Sequence, residues 1–105
     1  MNPMCLVLTT AGSADEAKKI ALALVERRLA ACVNIVPRIE SVYRWKGQVE
    51  SAEEWLLIVK TRSTAFERVR DAIQELHSYE LPECAMLELA EGDKAYLDWL
   101  AKNTE

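Results

Sequence analysis

Two long runs of strand pattern flank one tight turn between residues 33 and 61, and a chain of 105 residues has little room for a hairpin of that size. From Val33 the apolar residues recur at every second position. Val33, Ile35, Pro37, Ile39, Tyr43 and Trp45 share one parity, while Asn34, Arg38, Glu40, Arg44 and Lys46 share the other. Lys46-Gly47 can close a tight hairpin turn, and Gln48 to Thr61 supplies the return strand, ending in Trp55-Leu56-Leu57-Ile58-Val59. Proline cannot donate to a ladder, so Pro37 predicts a bulge or a departure from the neighbouring strand. Strands of roughly 14 residues at about 3.3 Å each reach near 45 Å, whereas a globule of about 100 residues is roughly 35 Å across. The hairpin must bend sharply or project. A projecting ribbon bearing Tyr43, Trp45, Val49 and Trp55 is marginal alone, and its open edges invite another chain. A closed homo-oligomer meets both demands.

The remaining elements are short and well punctuated. Met4 to Thr10 reads as a strand ended by Ala11-Gly12. Ser13 and Glu16 stand at capping-box spacing before a helix whose apolar stripe is Ala17, Ile20, Ala21 and Leu24, ending near Leu29. Thr64 and Glu67 repeat that spacing ahead of Phe66, Val69, Ile73 and Leu76, and Pro82 keeps the second helix from running on. Cys84 to Leu89 reads as the last strand, and Asp93 can cap a short terminal helix carrying Tyr96, Trp99 and Leu100.

Strand, helix, strand, strand, helix, strand is the split βαβ order of an α+β, ferredoxin-like domain spanning residues 1–105. Its antiparallel sheet should carry two helices on one face, with the extended hairpin and terminal helix as additions. Leu6-Val7-Leu8 and Leu56-Leu57-Ile58-Val59 are apolar at both parities, as strands buried on both sides must be. The second face therefore needs a cover, and a further copy of the chain would provide it.

Composition excludes several classes of function. A net charge of -4 with dispersed Lys and Arg argues against a nucleic-acid partner. The three cysteines are odd in number and lack close CxxC pairs, so reduced thiols and a cytoplasmic setting are expected. Met1 to Leu8 lacks the charged head and apolar length of a leader, and no run approaches the roughly 20 residues needed to span a bilayer. There is no P-loop, GxSxG or HExxH, so no enzyme is expected.

The chemistry concentrates at His77-Ser78-Tyr79-Glu80-Leu81-Pro82, where the only histidine ends a helical stripe. Two readings stand open. His77 is either a metal ligand, the role neutral imidazole most often fills, or a structural histidine at a helix end whose carbonyls favour a cation. Cys32, between a small-residue helix end and a strand, is either a thiolate ligand or a small hydrophobe. Thiolate with imidazole suits copper or zinc better than magnesium or calcium. Glu50, Glu53 and Glu54 form an acidic cluster on the hairpin that reads as keeping an exposed strand soluble, with weak binding of a surface cation as the alternative. Glu80 and Glu83 could add oxygen ligands beside the histidine. Lys60 and Arg62, before the second helix, could hold an anion.

Ala30-Ala31-Cys32-Val33-Asn34, Ser41 to Gly47, Lys60-Thr61, His77 to Glu83 and Tyr96-Leu97-Asp98-Trp99, in this order, resemble the CutA divalent-cation tolerance family across nearly the whole chain. The resemblance implies a ferredoxin-like protomer and a homotrimer in which neighbouring subunits pair strands around a central core. It also implies a role in tolerance of copper or another divalent cation, weakly bound, with His77 and Cys32 as the metal contacts. The family usually reads His-Pro-Tyr where this chain has His77-Ser78-Tyr79. Serine frees the backbone and restores an N-H, so the aim of His77 is less fixed. The competing expectation is a small-molecule-sensing trimer comparable to the nitrogen-regulatory PII proteins, which rests on fold analogy.

Overall fold

Met4–Ala11 forms β1 in a computed structural model that describes residues 3–105. Met1 and Asn2, part of the segment read above for a leader, lie outside the described residues. β1 is followed by α1 (Ala14–Glu26), β2 (Cys32–Trp45), β3 (Gln48–Arg62), α2 (Phe66–Leu76), β4 (Ala85–Glu88) and α3 (Lys94–Lys102). One antiparallel sheet runs β2-β3-β1-β4, the order of a ferredoxin-like α+β fold.

Alternation along β1 separates the two faces. Cys5, Val7 and Ala11 are fully buried, as are Leu57 and Val59 across the ladder, and all pack against Ala17, Ile20 and Leu24 of α1 and Val69 and Ile73 of α2. Leu6, Leu8, Leu56 and Ile58 point the other way and are only half-buried. α3 covers one end of that second face: Leu100 is fully buried, and Arg62 donates to the carbonyl of Ala101 at 2.6 Å and to the Thr104 hydroxyl at 3.1 Å. Lys60 lies 5.8 Å from the ring centroid of Tyr96 on the same helix. Lys60 and Arg62 thus serve α3 rather than an anion at the start of α2.

The hairpin behaves as its turn chemistry requires. Lys46 and Gly47 both take positive φ, at 50° and 81°, matching the twist of the flanking strands. The molecule extends 44 Å along its longest axis. The predicted bulge lies where Pro37 puts it: the register slips between Val36 and Ile39, and Arg38 adopts a φ of 57°. That extra residue has a consequence for the alternating stripe. Val33 and Ile35 pair with the core residues Val59 and Leu57, whereas Ile39 and Tyr43 pair with Glu54 and Glu50 on the opposite face. The single stripe read from the sequence is split between two faces.

Caps and boundaries also differ from expectation. α1 ends at Glu26, and Arg28 reverses the chain with a φ of 59°. The Thr64 and Glu67 pair caps nothing; a short 3-10 turn over Ser63–Ala65 leads into α2, whose N-cap is Ala65. Asp93 caps α3 as expected, accepting from the Tyr96 N-H at 3.1 Å. β4 is shorter than the Cys84–Leu89 run, and all four of its residues are exposed.

Candidate functional site

An extended His77 ends α2, and the turn that follows is tied down from three elements. The His77 side chain is fully buried. The Tyr79 N-H donates to its Nδ1 at 3.0 Å, so Nδ1 carries no proton and Nε2-H donates to the carbonyl of Thr10 at 2.6 Å. Both ring nitrogens are thereby used. Glu16, from the first turn of α1, accepts from the Ser78 N-H at 2.9 Å and places its other oxygen 3.9 Å from Nδ1. The N-H that Ser78 donates is one that a proline at this position would lack. Only half of the expected capping box therefore forms: Ser13 accepts from the Glu16 N-H at 3.1 Å, while the carboxylate turns to the distant turn. Burial alone would raise the Glu16 carboxyl, but hydrogen bonds from Ser78 and from the Gly12 backbone outweigh it and hold the group below the usual range.

Tyr79 completes the arrangement. Its ring lies 4.5 Å from that of His77, and its hydroxyl donates to Glu54 at 2.8 Å. Burial, the bond to Glu54 and the charge of that carboxylate push the phenol well above its ordinary range. Gly12 makes room, since a β-carbon there would stand 3.0 Å from the phenolic oxygen. Beside this turn opens a cleft of about 710 Å³ between the hairpin and residues 79–83, walled by Tyr43, Trp45 and Tyr79 and edged by Glu50, Glu80 and Glu83.

The structure does not bring Cys32 to His77 within one chain. Cys32 pairs across the sheet with Lys60, itself opposite Leu6, whereas the His77 ring is bonded at Thr10, opposite Leu56. Four residues along the strands and two strands across separate them by about 13 Å and about 10 Å. Cys32 is half-buried on the second sheet face, while Cys5 and Cys84 have their thiols raised by burial. Among the described residues no three His, Cys, Asp or Glu side chains converge to hold a metal ion.

Sequence reasoning missed Glu16, Thr10 and Glu54. Glu54 is 8% exposed and is no solubilising residue, unlike its exposed neighbour Glu53. A signal was available: Glu54 shares parity with Leu56 and Ile58, a carboxylate on an apolar register. Thr10 contributes through its backbone carbonyl, which no side-chain pattern encodes.

Residues 5–103 match the model of the family described as CutA1 divalent ion tolerance protein. The chain is 52% identical over 99 residues to the divalent-cation tolerance protein CutA of Thermus thermophilus, covering 94% of this chain and 96% of that protein. The solved structure of the Thermus thermophilus protein superposes with a TM-score of 0.95 at 50% identity, covering 97% and 99% of the two chains. The structure described as the periplasmic divalent cation tolerance protein CutA of Archaeoglobus fulgidus superposes with a TM-score of 0.94 at 43% identity, with 97% and 99% covered. The chloroplastic CutA protein of Arabidopsis thaliana is 43% identical over 102 residues, covering 97% of this chain and 56% of that protein. No helix among the described residues is long and apolar enough to cross a membrane.

Proposed function

The chain belongs to the CutA1 divalent ion tolerance family, and from that premise we propose that it acts as a homotrimer in divalent-cation tolerance, holding a copper-preferring cation weakly at a subunit junction. The observation that carries the assembly is the second sheet face. Leu6, Leu8, Leu56 and Ile58 are half-covered there, and Val36 and Leu87 beside them are 37% and 48% exposed. Contiguous apolar surface of this kind marks an interaction site, and β2 and β4 leave the two sheet edges open for a neighbouring strand. The number three comes from the family resemblance. Light scattering after gel filtration should give about three chains, and a stable monomer at micromolar concentration overturns the reading.

The metal reading takes a narrower form than the sequence suggested. Cys32 offers a thiol on the face that a second chain would meet, and soft or borderline ions suit it. His77 can join only if the turn at residues 77–79 opens, because each ring nitrogen already has a partner. Titration calorimetry of reduced protein with Cu(II) and Zn(II) compares wild type with Cys32→Ala and His77→Ala, with Cys84→Ala as control. Loss of binding in Cys32→Ala supports the site. Wild-type affinity and stoichiometry in both variants, still assembled, sink it. Three unpaired thiols support a cytoplasmic setting, which cell fractionation checks.

A second reading, the small-molecule-sensing trimer, is favoured by one observation: the cleft beside Tyr79 has the volume of a ligand site. A thermal-shift screen of metal ions against nucleotides and small acids separates the two readings, because a ligand stabilises the state it binds.

A further inference from the structure

Glu54, only 8% exposed, lines the inner wall of that cleft. Its carboxylate accepts from the Tyr79 hydroxyl, but none of the ion pairs among the described residues includes it. A phenol supplies a hydrogen bond and no positive charge, and burying an uncompensated carboxylate is costly. The surroundings deepen the deficit. Glu50, Glu80 and Glu83 line the same space, and no Lys, Arg or His is among its lining residues.

The other walls are aromatic. Tyr43, Trp45 and Tyr79 line it with aromatic rings, whose quadrupole attracts ammonium groups. Trp45 already shows that preference within the chain, with the Lys46 ammonium 5.6 Å from its ring centroid. A bare metal ion is a poor match for this lining, because hard divalent cations need several oxygens in one shell and no three ligating side chains converge here among the described residues. Glu50 and Glu54 are four residues apart on β3, about 13 Å along the strand. Separated negative charges with apolar ring surface between them suit a cation whose charges are also separated on an apolar stem. The cleft volume of about 710 Å³ lies within the span of small-molecule sites, about 300 to 1,000 Å³.

We propose that the cleft between the β2-β3 hairpin and residues 79–83 binds a linear organic polyammonium ion, with Glu54 seating one ammonium group beside Tyr79, and Glu50, with Tyr43 and Trp45 further along the hairpin, holding another. This rests on the small-molecule reading and is independent of any metal at Cys32.

Titration calorimetry and thermal shift of the assembled protein, with spermidine as probe and glutarate and ATP as anionic comparators, test it at fixed low ionic strength. Spermidine should bind and raise the melting temperature, and Glu54→Gln and Trp45→Ala should each weaken it about tenfold or more. Glu54→Gln keeps an acceptor for Tyr79. Glu50→Gln, at an exposed position, gives a second variant that folding cannot confound. Glu26→Gln, an exposed α1 carboxylate outside the cleft, removes the same charge and should change affinity by less than about twofold. Equal weakening by Glu26→Gln and Glu54→Gln would mean unspecific attraction and overturns the site. If glutarate or ATP stabilises the protein and spermidine does not, the polyammonium assignment fails while the small-molecule reading survives. Silence from all three probes counts against both.

Discussion

The Nε2-H of His77 donates to the Thr10 carbonyl at 2.6 Å and ties the end of α2 to the end of β1 across 67 residues of sequence. With Nδ1 accepting from Tyr79, the imidazole works as a two-sided bracket inside the protein. It fixes the turn that forms one wall of the cleft. The finding favours the structural reading of this histidine in the folded single chain.

Removing the bracket should be expensive. His77→Ala leaves the Thr10 carbonyl and the Tyr79 N-H without their partner and opens a cavity, so a loss of about 3 kcal/mol is expected. His77→Gln can still donate to Thr10 and should recover part of it. Urea unfolding at one fixed protein concentration measures the difference. A His77→Ala variant as stable as wild type would remove the structural role.

Glu16 should make the protein sensitive to acid. Its folded pKa lies below the ordinary 4.5, so its contribution is fully present above that value and fades as pH falls from there toward the lower folded value. Glu16→Gln should flatten the stability-pH curve in this window while leaving the slope above it unchanged. Parallel curves for wild type and variant would contradict the Ser78 contact.

Tyr79 acts at the opposite end of the scale. Its folded pKa is raised above 10.0, so the stabilisation is complete below that pH and is lost as pH climbs from there toward the folded value. Phenolate absorbance should show one tyrosine ionising late, and Tyr79→Phe should abolish that phase. Persistence of the late phase in Tyr79→Phe assigns it elsewhere.

Gly12→Ala probes the fit between β1 and the phenol. The added methyl meets the Tyr79 oxygen at 3.0 Å, so the ring must shift by a few tenths of an ångström and strain its bond to Glu54, with an expected cost of about 1 kcal/mol. The late tyrosine phase should also move to lower pH. An unchanged titration would mean that the ring yields without losing its bond.

Leu57 and Ile58 separate the two faces of the sheet. Leu57 is fully buried beneath the helices, and Leu57→Glu should unfold the protein by more than about 3 kcal/mol. Ile58 is half-buried on the other face, and Ile58→Glu should chiefly block assembly. Circular dichroism and light scattering distinguish these outcomes. An Ile58→Glu protein of wild-type size argues that this face is not the interface.

Sequence by itself determined the element order, the tight Lys46-Gly47 turn, the slip at Pro37, and the caps at Ser13 and Asp93. Each depends on residues a few positions apart: a fixed φ, a missing donor, or a hydroxyl within reach of the next turn. Hydrophobic periodicity likewise marked the helix core positions Ile20, Leu24, Val69 and Ile73, whereas Val7, Leu57 and Val59 stood in runs apolar at both parities and took their face from the fold. The tertiary structure decided which long-range partner each polar group takes. Glu16 could have closed a local capping box, but packing brings the Ser78 N-H within 2.9 Å, and the carboxylate goes there. Glu54 stood in an acidic run that read as solvent-exposed until β3 carried it beneath Tyr79. The bulge near Pro37 was visible as a kink, yet its transfer of Ile39 and Tyr43 to the opposite face required the observed register. His77 and Cys32 were each open to a ligand and to a structural reading, because both side chains can bind metal and both can also pack. The register holds them two strands and four residues apart within one chain, and the two hydrogen bonds on the imidazole give the histidine a structural role there.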